Sequence, residues 1–394
     1  MLPQTPRGFR DVLPDEAAWR ASINDDVQDC FASWGYMPIE TPALEVLETM
    51  EAAGGVTAKP ISLFDSDGRV LALRPDVTVP IARLVASRLS DEEGPFRFRY
   101  KETVFREEEN LRAQAREVTQ LGIESIGLVG IEADAEVISI FVEALAACGL
   151  RDFTVAICSV DVLHALIAGA CMDGGWERAV LSAYHTSNFV ELEELSREEG
   201  VADGFGEALR ELPHLRGGRE AIEGCRAMME GLGCPQVPIS LLETWDILEA
   251  CDVTEHVVVD FSILTSFDYY TGLVIEAYAP GSGTALGSGG RYDTMLASYG
   301  RDLPAAGFAF SLERVMQALA EQGELLRKRT PDVVVGGSDP APVFRLAAEL
   351  RAEGAKVCIT AEEDVAAEAM RLGSRRWCTV DAGAGRSWGG QTDE

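Results

Sequence analysis

Residues 117–127, EVTQLGIESIG, have the makings of a strand that carries Gln120 and Glu124. Side chains of an extended chain alternate with a period of two, so these residues, four positions apart, share one face. A strand that buried this face in an apolar core would not hold an amide and a carboxylate there. The face is therefore either open to water or one wall of a polar pocket. Arg106, in the preceding strand-like segment, could neutralise Glu124. Asp76 and Thr78 add a carboxylate and a hydroxyl, Asp268 a further carboxylate, and Tyr269 and Tyr270 hydroxyl donors. A cation set among acids and an amide suits a small zwitterion, with carboxylates holding an ammonium and arginine holding a carboxylate. The glycine-rich stretch 281–290 either permits close backbone approach to a ligand or is simply a flexible loop.

The elements that must position these residues follow from periodicity and punctuation. Residues 14–34 form an amphipathic helix, with Pro14 at its start, Asp15 and Glu16 at the positive end of its dipole, and Gly35 as its stop. An extended stretch at 36–42 comes next. Residues 61–74 pattern as a hairpin turning at Asp67-Gly68, and 96–106 with 117–127 as a second strand pair. A helix at 132–149 precedes a strand at 152–160. Residues 161–255 are mostly helical, an inserted segment punctuated by glycine and proline. Strands resume at 256–263 and 268–278, and a strand and helix at 305–320 close the unit. Beyond the basic hinge LLRKRTPD, residues 331–394 repeat strand and helix as βαβαβ, which predicts a small parallel sheet. The last residues, GAGRSWGGQTDE, carry no pattern and are expected to fray. The domains expected are thus 1–325, with its insertion at 161–255, and 331–394.

Composition narrows the function classes. The 394 residues are 47% hydrophobic and 25% charged, an ordinary globular balance. No apolar run reaches the roughly 18 residues a membrane span needs, and no hydrophobic segment opens the chain. Lys and Arg total 34 against 65 Asp and Glu, a net charge of −31. Such a surface repels a polyanion unless a basic strip is kept. The densest basic clusters are only Arg97, Arg99 and Lys101, and Arg371, Arg375 and Arg376. The nine scattered cysteines never form C-x-x-C, which fits reduced thiols in a cytoplasmic protein. The four histidines lack metal-ligand spacing. No cofactor or metal is expected.

The order of the blocks carries a resemblance. Gly35-Tyr36, Thr41-Pro42 and Glu45 resemble motif 1 of the class II aminoacyl-tRNA synthetases. Phe105-Arg106, Glu108, Arg116-Glu117 and Gln120 to Glu124 resemble motif 2, and Gly307-Phe308-Ala309-Phe310-Ser311-Leu312-Glu313-Arg314 resembles motif 3. Leu73-Arg74-Pro75-Asp76 with Thr78, Asp268-Tyr269-Tyr270-Thr271-Gly272 and Gly289-Gly290-Arg291-Tyr292-Asp293 are similar to histidyl-tRNA synthetase in particular. The resemblance covers roughly residues 1–322 in family order. It implies an α+β fold, a class II synthetase-like antiparallel sheet flanked by helices, with a small truncated α/β module at the C-terminus. It also implies a homodimer through the motif 1 region. The histidine-binding positions it implies are Asp76, Thr78, Arg106, Gln120, Glu124, Tyr269 and Tyr270.

Two groups share these blocks: the synthetases, and their non-catalytic paralogues, the regulatory subunits of ATP phosphoribosyltransferase. The departures favour the second group. Thr265 stands where the synthetase has an arginine that stabilises phosphate charge, and such a donor is commonly worth on the order of 10²–10³ in rate. Glu109 and Gln114 occupy motif 2 loop positions where positive charge is usual. Residues 331–394 resemble a shortened anticodon-binding domain, yet hold seven Lys and Arg against eleven Asp and Glu, a net charge of −4. A module that docks an RNA stem should not be acidic. The resemblance therefore implies a protein without aminoacylation activity. It would bind and activate the short-form ATP phosphoribosyltransferase catalytic subunit and confer feedback inhibition by histidine. The alternative is an active histidyl-tRNA synthetase with a shortened C-terminal domain.

Overall fold

The structure, a computed structural model, describes residues 4–52, 60–107, 115–263, 270–324, 330–381 and 385–390. The chain divides into two compact units, Trp19–Leu325 with Met1–Leu13, and Leu326–Glu394 with Pro14–Ala18.

Up to the sheet centre, the elements are α1 (Pro14–Ser33), β1 (Met37–Pro38), β2 (Leu44–Val46), α2 (Leu47–Glu51), β3 (Ser62–Phe64), β4 (Val70–Leu73), α3 (Thr78–Arg88), β5 (Phe96–Phe105), β6 (Glu117–Ile126), α4 (Ile131–Ala147) and β7 (Thr154–Ser159). The inserted segment comprises α5 (Val160–Gly169), α6 (Gly174–His185), α7 (Phe189–Leu195), α8 (Phe205–Glu211), β8 (Arg216–Gly217), α9 (Arg219–Gly231) and α10 (Ile239–Ala250). Then come β9 (Val257–Asp260), β10 (Leu273–Tyr278), β11 (Gly287–Arg291), β12 (Ala305–Ser311) and α11 (Leu312–Glu321). Nine strands form one sheet in the order β1-β5-β6-β12-β11-β10-β7-β9-β8. Neighbours from β5 through β7 are antiparallel.

Alternation decides which face of this sheet is core. Phe308 and Phe310 of β12 point to one side, where Phe141 of α4 stacks on Phe308 at 4.3 Å and Phe31 of α1 meets it edge-on at 5.9 Å. Ile23, Val27 and Phe31 sit one turn apart along α1, and all three are buried. Each such side chain contributes about 1.5–3 kcal/mol by leaving water. That apolar side closes the core and leaves Gly307, Ala309 and Ser311 on the other face, opposite Glu124, Gly122 and Gln120. One buried cation fastens the motif 1 segment to this frame. Arg74, 3% exposed, donates to Thr41 O at 2.6 Å and Thr103 O at 2.9 Å and pairs with Glu102 at 2.5 Å.

Two expectations are corrected. The glycine-rich stretch is not a loop throughout, because Gly287–Arg291 forms β11, an inner strand between β10 and β12. Its glycines serve close strand packing: a Cβ at Gly289 would lie 2.2 Å from Gly307 O. The end of the chain is not frayed at 385–390. These residues form β16, antiparallel to β15. Backbone pairing along an otherwise open edge needs no hydrophobic pattern, so the sequence carries no sign of it.

The smaller unit contains β13 (Val333–Gly336), α12 (Pro340–Ala352), β14 (Val357–Ile359), α13 (Val365–Leu372), β15 (Arg376–Asp381) and β16 (Gly385–Gly390), in sheet order β14-β13-β15-β16. The first three strands in this order are parallel, as the βαβαβ pattern predicts. Val333 and Val335 pack with Val343 and Leu346 of α12, while Val334 packs with Val365 and Ala369 of α13. A strand of consecutive valines thus buries both faces. The nine cysteines are all free thiols. Among the described residues, no helix is long and apolar enough to cross a membrane.

Candidate functional site

Glu124 lies near the C-terminal end of β6 and is 1% exposed. Thr78, in the first turn of α3, donates its hydroxyl to Glu124 Oε1 at 2.7 Å. Tyr100 of β5 donates to the same oxygen at 3.4 Å, and Tyr292, just beyond β11, donates to Oε2. Two glycines make room for this cluster. A Cβ at Gly307 would stand 2.1 Å from Glu124 Oε2, and one at Gly122 would stand 2.5 Å from the Tyr100 hydroxyl.

Burial pushes the Glu124 carboxyl up from 4.5 to about 7. The hydroxyls of Tyr292 and Thr78 pull it back, and the negative charge of Asp76 adds to the rise. The Tyr100 hydroxyl is held well above its ordinary value, first by burial and then by the charges of Glu124 and Asp76. Asp76 accepts the Val79 N–H at 3.0 Å and so ties the start of α3. Burial raises its carboxyl, against that N–H and the charge of Arg106.

Gln120 is 9% exposed, and its Oε1 is buried without a hydrogen-bond partner among the described residues. A buried polar atom left unpaired costs about 1–3 kcal/mol. An amide oxygen left unpaired on the strand face that carries Glu124 marks a place prepared for a donor.

The structure thus brings Thr78 onto Glu124 and Asp76 within electrostatic reach of it, with Gln120 on the same strand face. The expected pairing of Arg106 with Glu124 is corrected: among the described residues the two form no ion pair. Arg106 instead donates Nε–H to Pro75 O at 2.9 Å, and its charge bears on Asp76. Register is the reason. Phe98 lies opposite Glu124 and Phe105 opposite Glu117, so Arg106 enters from the far end of the β5–β6 ladder. Tyr270 is buried, with its ring where a Cβ at Gly290 would meet it at 2.9 Å. Tyr269 lies outside the described residues, as do Thr265, Glu109 and Gln114. In motif 3, Glu313 accepts Arg20 at 2.5 Å and the Thr119 N–H at 3.0 Å, and Arg314 donates to Ala285 O at 2.7 Å.

Sequence reasoning missed the hydroxyls of Tyr100 and Tyr292 on Glu124. A signal existed for Tyr100, since pairing 96–106 with 117–127 sets one residue of each strand against the other. For Tyr292 the signal was its place in the Gly289–Asp293 block, but nothing local ties it to Glu124, which lies 168 residues away and which it reaches through the β11–β12 pairing.

Residues 8–315 match the family described as histidyl-tRNA synthetase. An ATP phosphoribosyltransferase regulatory subunit of Moorella thermoacetica is 36% identical over 380 residues, 96% of this chain and 97% of that protein. One of Symbiobacterium thermophilum is 36% identical over 362 residues, 90% of each chain. A Bacillus halodurans structure described as an ATP phosphoribosyltransferase regulatory subunit/histidyl-tRNA synthetase superposes with a TM-score of 0.88 at 30% identity, covering 98% of this chain and all of that one. A Nostoc histidyl-tRNA synthetase, at 21% identity and a TM-score of 0.81 over 99% of this chain and 97% of its own, shares the fold.

Proposed function

Because the chain belongs to the ATP phosphoribosyltransferase regulatory subunits, built on the histidyl-tRNA synthetase fold, we propose that its polar pocket is a sensor for L-histidine. Its role is regulatory, within histidine biosynthesis. It binds the short-form catalytic subunit, switches it on, and relays histidine as a feedback inhibitor. The observation that carries this reading is the buried Gln120 Oε1, unpaired among the described residues, on the same strand face as the buried carboxylate of Glu124.

Glu124 and Gln120 face the α-ammonium, Asp76 and Thr78 assist, Arg106 holds the carboxylate, and Tyr269 contacts the imidazole side. Histidine must bind one assembly state better than another, and a coupling of ~1–3 kcal/mol suffices for feedback. Thr265, Glu109 and Gln114 support a chain that lacks adenylation, since each removes positive charge expected near a nucleotide. The homodimer through the motif 1 region is supported by the β2-β4-β3 ribbon, where Leu44, Leu63 and Phe64 are exposed and Phe64 is 80% so.

Calorimetric titration of histidine into wild type and Glu124→Ala tests the pocket, and equal affinity refutes it. Co-purification with the short catalytic subunit tests the partner. Histidine-dependent ATP–pyrophosphate exchange by the purified chain would replace this reading with an active synthetase.

A further inference from the structure

On the side of the sheet opposite Glu124, a cavity of about 210 Å³ opens between the starts of α4, α5 and α10 and the ends of β10 and β11. Asp134, Asp161 and Asp293 line it with a single cation, Arg291. The lining therefore carries a net charge of −2, from three carboxylates and one guanidinium.

Arg291 leaves these acids half used. It reaches Asp134 only through Oδ1, at 3.0 and 2.6 Å, and Asp293 only through Oδ1, at 3.2 Å. Asp161 accepts the Ser159 hydroxyl at Oδ2, 3.0 Å away. Among the described residues the second oxygen of each acid accepts no hydrogen bond. Burial raises the Asp134 carboxyl, the charge and hydrogen bonds of Arg291 pull it back, and the charges of Asp293 and Asp161 add to the rise, so both lie within electrostatic reach of Asp134.

A second observation is independent of the acids. Thr244 of α10, 1% exposed, lies on the cavity wall and makes no hydrogen bond among the described residues. A helical threonine usually satisfies its hydroxyl on the carbonyl four residues back. Here that bond is not made, and Thr244 lines the cavity.

The acids do not form a group that could hold a metal ion. The remaining walls, from Ile131, Leu241 and Leu273, are apolar. An ammonium carries three N–H donors and no acceptor, so it can take up the carboxylate oxygens that accept nothing among the described residues. We propose that this cavity is a second small-molecule site, built for a compact organic ammonium ion. Its charged head sits among Asp134, Asp161 and Asp293, its carbon body lies against the apolar walls, and a polar atom meets Thr244. The site is separate from the Glu124 pocket. Arg291 and Asp293 face the cavity, while Tyr292 between them turns to the other side of the sheet and donates to Glu124.

Titration of the full chain with 1,4-diaminobutane and with n-butylamine, by calorimetry at 0.15 M salt, tests this. The expected result is one saturable site for either amine, weakened at least about tenfold by Asp161→Asn, the size expected for one lost charge-assisted contact, weakened by Thr244→Val for 1,4-diaminobutane but not for n-butylamine, and unchanged by Glu124→Gln. Asp161 is exposed and its exchange conserves shape, so loss of folding does not obscure the result. Absence of saturable binding to wild type overturns the proposal. So does equal affinity in Asp161→Asn, which would mean diffuse attraction to the acidic surface.

Discussion

Exchange of Glu124 for glutamine should make the protein bind histidine worse and yet, above neutral pH, fold more stably. The carboxyl rises from 4.5 to about 7 because burial penalises its charge. A carboxyl raised on folding favours the folded state most below its unfolded value, and that contribution is lost as pH climbs through the folded value. From 4.5 to about 7, at 1.36 kcal/mol per pH unit, the loss approaches about 3 kcal/mol. Glutamine removes the ionisation, keeps one oxygen to accept from the Thr78 or the Tyr292 hydroxyl, and turns its NH2 to donate to the other hydroxyl oxygen. Glu124→Gln should therefore gain up to about 3 kcal/mol over wild type at pH 8 and almost nothing at pH 4.5, in denaturant titrations.

Binding should run the other way. An ammonium requires the ionised carboxylate, which is about one-tenth populated at pH 6 and about nine-tenths at pH 8 for a group near 7. Wild-type affinity should then rise roughly tenfold across that range relative to the variant, and the titration of histidine's own imidazole cancels in the ratio. Near pH 7, calorimetry in buffers of different ionisation enthalpy should register release of about half a proton per histidine bound by wild type and less by the variant. A variant that is less stable than wild type at pH 8, or a ratio of affinities independent of pH, would refute the reasoning.

Three further outcomes follow from the same geometry. Gly307→Ala places a methyl 2.1 Å from Glu124 Oε2; it should cost about 1–3 kcal/mol in denaturation and abolish histidine binding while the circular dichroism stays native. Arg74→Met leaves the Glu102 carboxylate without its buried partner; thermal melts should show a loss of about 3–5 kcal/mol, and a change below 1 kcal/mol would contradict the role of that pair. Leu63→Asp charges the exposed apolar face of the β2-β4-β3 ribbon; light scattering should shift from dimer to monomer, with the melting temperature of the monomer little changed.

Much of the architecture was legible from local pattern. The hairpin around Asp67-Gly68, the paired strands at 96–105 and 117–126, the helices of the insertion and the parallel βαβαβ module all announce themselves through periodicity and turn residues. The misreadings share one cause. β11 and β16 are held by backbone pairing with neighbours, and their glycine-rich sequences have no side-chain pattern to betray it. The mistaken Arg106–Glu124 pair had a related origin, because proximity of two strands says nothing about register.

By itself the sequence determined which residue types occupy each face of β6 and β12, since alternation is a local consequence of the extended backbone. It also determined the family, through the order of its blocks. Only the tertiary structure decided that Glu124 would be ringed by three hydroxyls from α3, β5 and the segment after β11, and that Gln120 would be left unpaired. Hydrogen bonds between groups far apart in sequence depend on register and on which glycines leave space, and those are settled only when the whole sheet closes over its core.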